Sequence, residues 1–209
     1  MVEKLRRLGY IKTKKVERAM LKVKREEFVL PAYRQDAYAD TPLPIPGNQT
    51  ISAPHMHALS LETLQLKKGD KFLEVGAGSG ILLVYAYEII KQRNKVFGIE
   101  ILQETYEFAR QNLKKAGYLD KVKLICKDGS LGLPEEAPFD KILISAAGPD
   151  FPPPLIEQLK VNGIIVGMIG SPYGSQELVR AVKDSKGKLK RESLGGVVFV
   201  ELRGKYGWK

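Results

Sequence analysis

Lys71-Phe-Leu-Glu-Val-Gly-Ala-Gly-Ser-Gly80 is an apolar run that meets a glycine-rich turn, and an apolar helical pattern begins at once at Ile81. The run up to Val75 reads as a buried strand. Gly76, Gly78 and Gly80 carry no Cβ, so the turn can be tight and a ligand can touch bare backbone. The helix that follows points free N–H groups and its positive dipole end at whatever sits in the turn. Strand, glycine turn and helix in that order predict a nucleotide-type pocket at the carboxyl edge of a parallel sheet.

The spacing narrows the choice. A dinucleotide-binding turn reads G-x-G-x-x-G, whereas this one reads G-x-G-x-G with Glu74 two residues before its first glycine. A P-loop would end in Gly-Lys-Ser/Thr, which is missing. Val96-Phe-Gly-Ile-Glu100 reads as a second strand, and an acid at its tip can accept hydrogen bonds from both ribose hydroxyls. Leu124-Ile-Cys-Lys-Asp-Gly129 reads as a third, ending in Asp128, placed to meet an adenine edge. Glu-x-Gly-x-Gly-x-Gly, then an acid, then Asp-Gly, resembles the class I S-adenosylmethionine-dependent methyltransferases. The resemblance implies that Glu74, Gly76, Gly78, Ser79, Gly80, Glu100, Ile101, Asp128 and Gly129 surround S-adenosyl-L-methionine, with S-adenosyl-L-homocysteine as product.

Composition bounds the class. The 209 residues fit one domain with a sizeable core, and 44% hydrophobic with 28% charged residues is ordinary for a globular chain. No apolar run approaches the ~18 residues of a membrane helix. Glu3, Lys4, Arg6 and Arg7 leave no signal-peptide core, so a cytoplasmic protein is expected. The single cysteine, Cys126, excludes an internal disulfide and a cysteine-rich metal site, and it reads as buried strand filling. The net charge of +10 raises the question of nucleic acid. Its basic residues are spread, with clusters at Lys12–Lys24 and Lys183–Arg191 and no interleaved aromatic stripe. A solvated surface is the better reading.

The expected fold is α/β: a doubly wound, mostly parallel Rossmann-like sheet with antiparallel C-terminal strands and an N-terminal helical cap. Residues 1–66 form the cap and a substrate/cofactor loop, 67–170 the cofactor-binding core, and 171–209 the edge strands and tail. In the cap, one helix carries Val2, Leu5 and Leu8, and a second, with Val16, Met20 and Leu21, closes at Phe28–Pro31. Tyr38–His57, with its several prolines, reads as an ordered but irregular loop running into a helix near Pro54. Strands at 71–75, 95–100, 122–127, 139–145 and 163–169 alternate with helices at 81–91, 103–116 and 154–160. Leu178–Val182, a turn at Asp184–Gly187 and Val197–Leu202 then read as two antiparallel edge strands.

Gln49-Thr-Ile-Ser-Ala-Pro-His-Met56 is similar to the signature of the protein-L-isoaspartate (D-aspartate) O-methyltransferases, and roughly residues 20–204 resemble that family. Tyr38-x-Asp-x-Pro-Leu-Pro-Ile45, Ala137-Pro-Phe-Asp140, Ser145-Ala-Ala147 and Val198-Phe-Val200 add to the match. It implies methyl transfer to the free α-carboxylate of L-isoaspartyl residues in damaged proteins and peptides, with D-aspartyl residues a further expectation. The ester then collapses to a succinimide, and hydrolysis restores some aspartate. It also implies that Ser52 is catalytic and that Gln49, Thr50, Ile51, Ser52 and His57 contact ligand. A carboxylate is already ionised at pH 7, so placement rather than a strong base is what the chain must supply.

Each residue has a plainer alternative. Ser52 could cap the following helix. His57 and His55 could be polar helix residues, Glu74 could orient the glycine turn through its N–H groups, and Glu100 could be a plain strand-end acid. Ala77, Ile81 and Gly47-Asn-Gln-Thr50 depart mildly from the family pattern, and Arg203–Lys209 does not align with it. An RNA or DNA methyltransferase is the enzymatic alternative. However, Ser145-Ala-Ala-Gly148 stands where an Asn/Asp-Pro-Pro-Tyr clamp would be needed, and Cys126 is misplaced for a cysteine nucleophile. A cofactor-binding module without catalysis is the other alternative. A monomer is expected, because no residue pattern demands a partner.

Overall fold

The computed structural model describes residues 1–208. A seven-stranded sheet organises it, built from β3 (Phe72–Val75), β4 (Val96–Glu100), β5 (Lys123–Cys126), β6 (Phe139–Gly148), β7 (Leu159–Gly170), β8 (Gln176–Lys183) and β9 (Leu189–Val197), in the order β5-β4-β3-β6-β7-β8-β9. The pairings from β5 to β7 are parallel, and β7-β8 and β8-β9 are antiparallel. From β3 the chain winds outward to β4 and β5, then crosses back to place β6 on the other side of β3. That reversal opens a crevice above the carboxyl ends of β3 and its neighbours, the position at which ligands bind in open α/β sheets.

Helices cover both faces. Helix α4 (Ile81–Ile90) is apolar almost all round and buries nine of its ten residues. Amphipathic α5 (Gln103–Lys115) buries only Thr105, Ala109, Asn112 and Leu113, and α6 (Pro153–Gln158) is capped by Lys183, whose Nζ donates to Ile156 O and Leu159 O at 2.7 and 2.8 Å. The cap helices α1 (Val2–Arg7) and α2 (Lys14–Lys22) pack Leu5, Val16 and Met20 into the core that holds Leu61 of α3 (Pro54–Leu64) and Val84. None of the described helices is long and apolar enough to cross a membrane.

Gly98 sets the distance between β4 and α4, since a Cβ there would lie 2.6 Å from Leu83 Cδ1. Gly98→Val is therefore expected to cost about 1–3 kcal/mol of overpacking. At ~2–4 °C per kcal/mol, calorimetry should show a Tm lowered by about 2–12 °C.

The structure corrects the expected elements in four places. Helix α2 stops at Lys22 because Val23 turns extended (φ −94°, ψ 122°), and Phe28–Pro31 lies beyond it among 3₁₀ turns. The proline-rich loop contains an antiparallel hairpin, β1 (Leu43–Ile45) with β2 (Gln49–Ile51), which turns through Gly47 at φ 81° and Asn48 at φ 54°. Strand β7 begins at Leu159, which pairs with Phe139 before an irregularity in register that includes Asn162 at φ 62°. The last strand is 189–197, not Val197–Leu202. Asp184 Oδ1 accepts from Lys186 N and Lys188 N, Gly187 takes φ 79°, and the strand starts as soon as this tight turn closes. Val198–Leu202 instead crosses the carboxyl edge of the sheet, where Ala147 N donates to Val200 O (2.8 Å) and Leu202 N donates to Ala147 O (2.7 Å).

Candidate functional site

The glycine turn closes as its sequence requires. Gly76, Gly78 and Gly80 take φ of 84°, 54° and 83°, values that an L side chain resists. Gly80 ends the turn as the N-cap of α4, and its hypothetical Cβ would touch Leu113 at 3.3 Å. It thus serves helix packing and does not line the crevice. Asn112 Nδ2 donates to Ser79 O and fixes the turn from behind.

Glu100 ties β4 to this turn. Its Oε2 accepts from Gly78 N at 3.0 Å, and its Oε1 accepts from Ile101 N and Leu102 N at 2.9 and 3.1 Å. The job weighed for Glu74, orienting the turn through backbone N–H groups, thus falls to Glu100. Glu74 is buried in β3; its Oε1 accepts from Ser145 Oγ at 2.9 Å, and its Oε2 has no partner among the described residues. Burial pushes its carboxyl up to about 8, offset in part by the Ser145 bond and reinforced by the Glu100 charge. An orphaned acid at a crevice wall is a site that awaits a cationic partner.

The crevice has two connected ends that share Thr50, Gly76, Gly78 and Ser145. One, of about 520 Å³, is walled by Gln49, Glu100, Ile101 and Gly129, with Val200–Arg203 above. The other, of about 420 Å³, is walled by Ile51, Ser52, His57, Glu74 and Ser79, with Phe199 above. Gly129 keeps the first end open at its floor, since a Cβ there would sit 2.6 Å from Val75 Cγ1. Gln49 turns its amide back onto Gly47 O and Asn48 O. Asp128 lines neither end. Its Oδ1 accepts from Ser130 N and Oγ, and its Oδ2 accepts from Lys205 N, so both oxygens are held by its own turn and by the tail. Lys209, the end of that tail, lies outside the described residues.

Ser52 stands where the second end meets an open groove lined by Pro42, Ala53, His55, Val197 and Val198. It is not the helix cap that its position permits: Ala53 is the N-cap of α3, and no side chain caps it. His55 bonds to Asp40 Oδ1 through both its backbone N and its Nδ1, each at 2.9 Å, and packs on Tyr10. His57 is buried, and desolvation followed by the charge of Arg25 holds its imidazole well below the usual range. Cys126 is half-buried rather than core, its thiol donating to Gln103 Oε1.

Three contributors escape the sequence reading. Arg25 is wholly buried, and its Nη2 donates to Ser52 O at 2.8 Å; beside Glu26 and Glu27 in sequence it looks like a surface charge. Ser145 is recognisable only as part of a strand. The crossing of Phe199–Arg203 over the crevice is hidden because its apolar run mimics an edge strand.

Comparison with known proteins matches residues 1–207 to the family described as Protein-L-isoaspartate(D-aspartate) O-methyltransferase. Relatives named protein-L-isoaspartate O-methyltransferase include one from Thermococcus onnurineus, 48% identical over 100% of this chain and 94% of that protein. Another, from Hyperthermus butylicus, is 48% identical over 100% and 89%. Among solved structures, similarity extends to one described as a protein-L-isoaspartate O-methyltransferase from Plasmodium falciparum in complex with S-adenosyl-L-homocysteine. It is 32% identical, with a TM-score of 0.85 over 97% of this chain and 96% of that one.

Proposed function

The chain belongs to the protein-L-isoaspartate(D-aspartate) O-methyltransferase family, and we infer that it repairs proteins by methylating the free α-carboxylate of L-isoaspartyl residues. Its cofactor is S-adenosylmethionine, which when bound supplies a methyl group on a sulfonium centre. The crevice fits that molecule: an orphaned, buried Glu74 oxygen meets a cation, and backbone bared by Gly76 and Gly78 meets polar groups. Gln49, Glu100, Ile101 and Gly129 would hold the adenosine end. Thr50, Ile51, His57, Glu74 and Ser79 would hold the amino-acid end.

The observation that carries the reading is the place of Ser52, on the wall between the crevice and the groove. The chain needs no strong base, because the acceptor is ionised at neutral pH. What Ser52 does is hold one acceptor oxygen by a hydrogen bond, so that the other faces the crevice in line. The groove beside it, apolar and open, takes the flanking peptide with little demand on side chains. Pro42, Val197 and Val198 offer contact area rather than specific polar partners.

The nucleic-acid alternative lacks a base clamp at Ser145–Gly148, and the basic clusters on α2 and on the β8-β9 turn contribute no residue to the groove's lining. The cap sharing a core with the sheet supports a single domain, and the reading includes a cytoplasmic monomer.

The test is transfer of labelled methyl from S-adenosylmethionine to one synthetic peptide made with either isoaspartate or aspartate. Wild type should label only the isoaspartyl form. Ser52→Ala should lower kcat/KM about tenfold, the ~1.5 kcal/mol of one hydrogen bond to a charged group, with cofactor affinity unchanged. Cofactor binding without transfer to either peptide would sink the reading.

A further inference from the structure

A buried guanidinium with no carboxylate partner needs a reason. Arg25 has none among the described residues: its Nε donates to Ala37 O at 2.7 Å, its Nη2 to Ser52 O at 2.8 Å, and its Nη1 lies 3.2 Å from His57 Nδ1. Burial lowers its own pKa, yet an arginine stays charged in proteins. A guanidinium has no lone pair to offer, so at the His57 contact it can only donate. Nδ1 must then be the unprotonated nitrogen of the ring, and the neutral imidazole carries its hydrogen on Nε2. That nitrogen has no protein partner among the described residues, and His57 lines the crevice beside Ser52.

Resting on the function inferred above, we propose that Arg25 is a positioning residue that locks His57 in the Nε2–H tautomer, making it a fixed donor to a carboxylate at the Ser52 end of the crevice. Two effects then act together. The lock supplies one oriented N–H, and the uncompensated guanidinium behind it supplies a positive potential that an anion relieves. Through Ser52 O the same side chain also sets the backbone that carries the acceptor-holding hydroxyl. The carboxylate could be that of the isoaspartyl acceptor or that of the cofactor's amino-acid end.

Other groups around the ring do not undo the lock. Tyr85 of α4 meets it edge-on at 5.9 Å between centroids, and burial raises its phenol, keeping it neutral. Glu74 faces the same end of the crevice from β3, and its raised carboxyl is protonated at neutral pH until a cation binds. His55 is engaged with Asp40, while Asp40, Tyr38 and Glu26 act at longer range.

The chain has only two histidines, which makes a direct test simple. Long-range 1H–15N correlation spectra of the S-adenosylhomocysteine-saturated enzyme should show one ring fixed as Nε2–H from pH 5.5 to 8. Arg25→Met should remove the donor at Nδ1, so that the ring, still buried, populates both neutral tautomers instead of Nε2–H alone. A wild-type His57 that carries its proton on Nδ1, or that titrates near pH 6.5, overturns the proposal.

Because Arg25→Met also strips Ser52 O and Ala37 O of their donor, a second pair guards against misfolding. His57→Gln, which keeps an amide donor, should lose less than tenfold in kcat/KM, and His57→Phe about a hundredfold. A rise in peptide KM with unchanged S-adenosylhomocysteine affinity assigns the bond to the acceptor carboxylate; the reverse assigns it to the cofactor. Equal losses in the two variants overturn the proposal. If wild type methylates no isoaspartyl peptide, the function falls, and the spectra still decide the tautomer lock.

Discussion

Glu74→Gln should give a folded protein that has lost most of its affinity for S-adenosylmethionine. The amide keeps the oxygen that accepts from Ser145 Oγ, and the second position already has no partner, so no hydrogen bond is lost on substitution. Near pH 7 the native carboxyl is itself largely protonated, its pKa raised to about 8 by burial, so the change is close to isosteric and isoelectric in the free protein. The bound state differs. Glu74 is the one acid lining its end of the crevice among the described residues, and the cofactor brings an ammonium and a sulfonium. A buried charge pair broken on one side loses about 2–5 kcal/mol, so affinity should fall roughly 30-fold or more by calorimetry. S-adenosylhomocysteine keeps the ammonium but lacks the sulfonium, so comparing the two losses tells which cation Glu74 meets. Binding within threefold of wild type would refute the role.

The same carboxyl sets two pH dependences. An acid whose folded pKa is raised holds its proton in the native state while the unfolded chain releases it. Stability therefore falls as pH rises from about 4.5 to about 8 and is level beyond. Glu74→Gln removes that loss, so its Tm advantage over wild type should be absent at pH 4 and largest at pH 8 or above. Cofactor binding below pH 8 should also expel a proton from Glu74, seen as a binding enthalpy that changes with the buffer's ionisation heat. In Glu74→Gln that dependence should vanish.

What the sequence made legible follows from how local each signal is. Strand, glycine turn and helix at 71–90 are specified by neighbouring residues, and so is the acid that closes each of the next two strands; the elements from β3 to β6 stand where the pattern puts them, within a few residues. The Ser52 loop is recognisable as a contiguous run. Failures occur where a residue's role is set by something far along the chain. Arg25 is unreadable as a buried donor until the hairpin and α3 bring Ala37, Ser52 and His57 around it. Asp128 shows the same dependence on distant chain: the tail that meets its Oδ2 arrives 77 residues later, and nothing near it in sequence announces that contact. Val197–Leu202 has the alternation-free apolar character of a buried strand, yet the ladder ends at Val197 and the rest crosses the crevice with Val198 almost fully exposed and only Leu202 buried. Apolar character alone does not place a segment in the ladder; here the turn at Asp184–Lys188 decides the register.

Glu100→Gln, chemically the same change as Glu74→Gln, should have the opposite effect on the fold. Glu100 sits 26 residues later, also at the end of a strand and also buried, yet its two oxygens serve three backbone donors: Gly78 N on one, Ile101 N and Leu102 N on the other. An amide has one oxygen. Whichever way it turns, its NH2 group must face N–H groups, either that of Gly78 or those of Ile101 and Leu102. At least one buried donor is then left without a partner, at about 1–3 kcal/mol, and the charge assistance of the remaining bonds is lost. A destabilisation of about 2–4 kcal/mol follows, or a Tm lowered by about 4–16 °C at ~2–4 °C per kcal/mol. Binding should fail for a second reason. Gly78 is held at φ 54° partly by the Glu100 bond, and the turn it belongs to is the shared wall of both ends of the crevice. Releasing it loosens the backbone that must meet the cofactor, and it removes the charge that would accept the ribose hydroxyls. Thermal melts separate the two acids cleanly: at pH 8, Glu74→Gln should melt above wild type and Glu100→Gln well below it, while neither binds cofactor normally. If both variants shifted Tm in the same direction, the division of labour between an acid kept for the ligand and an acid spent on the turn would be wrong.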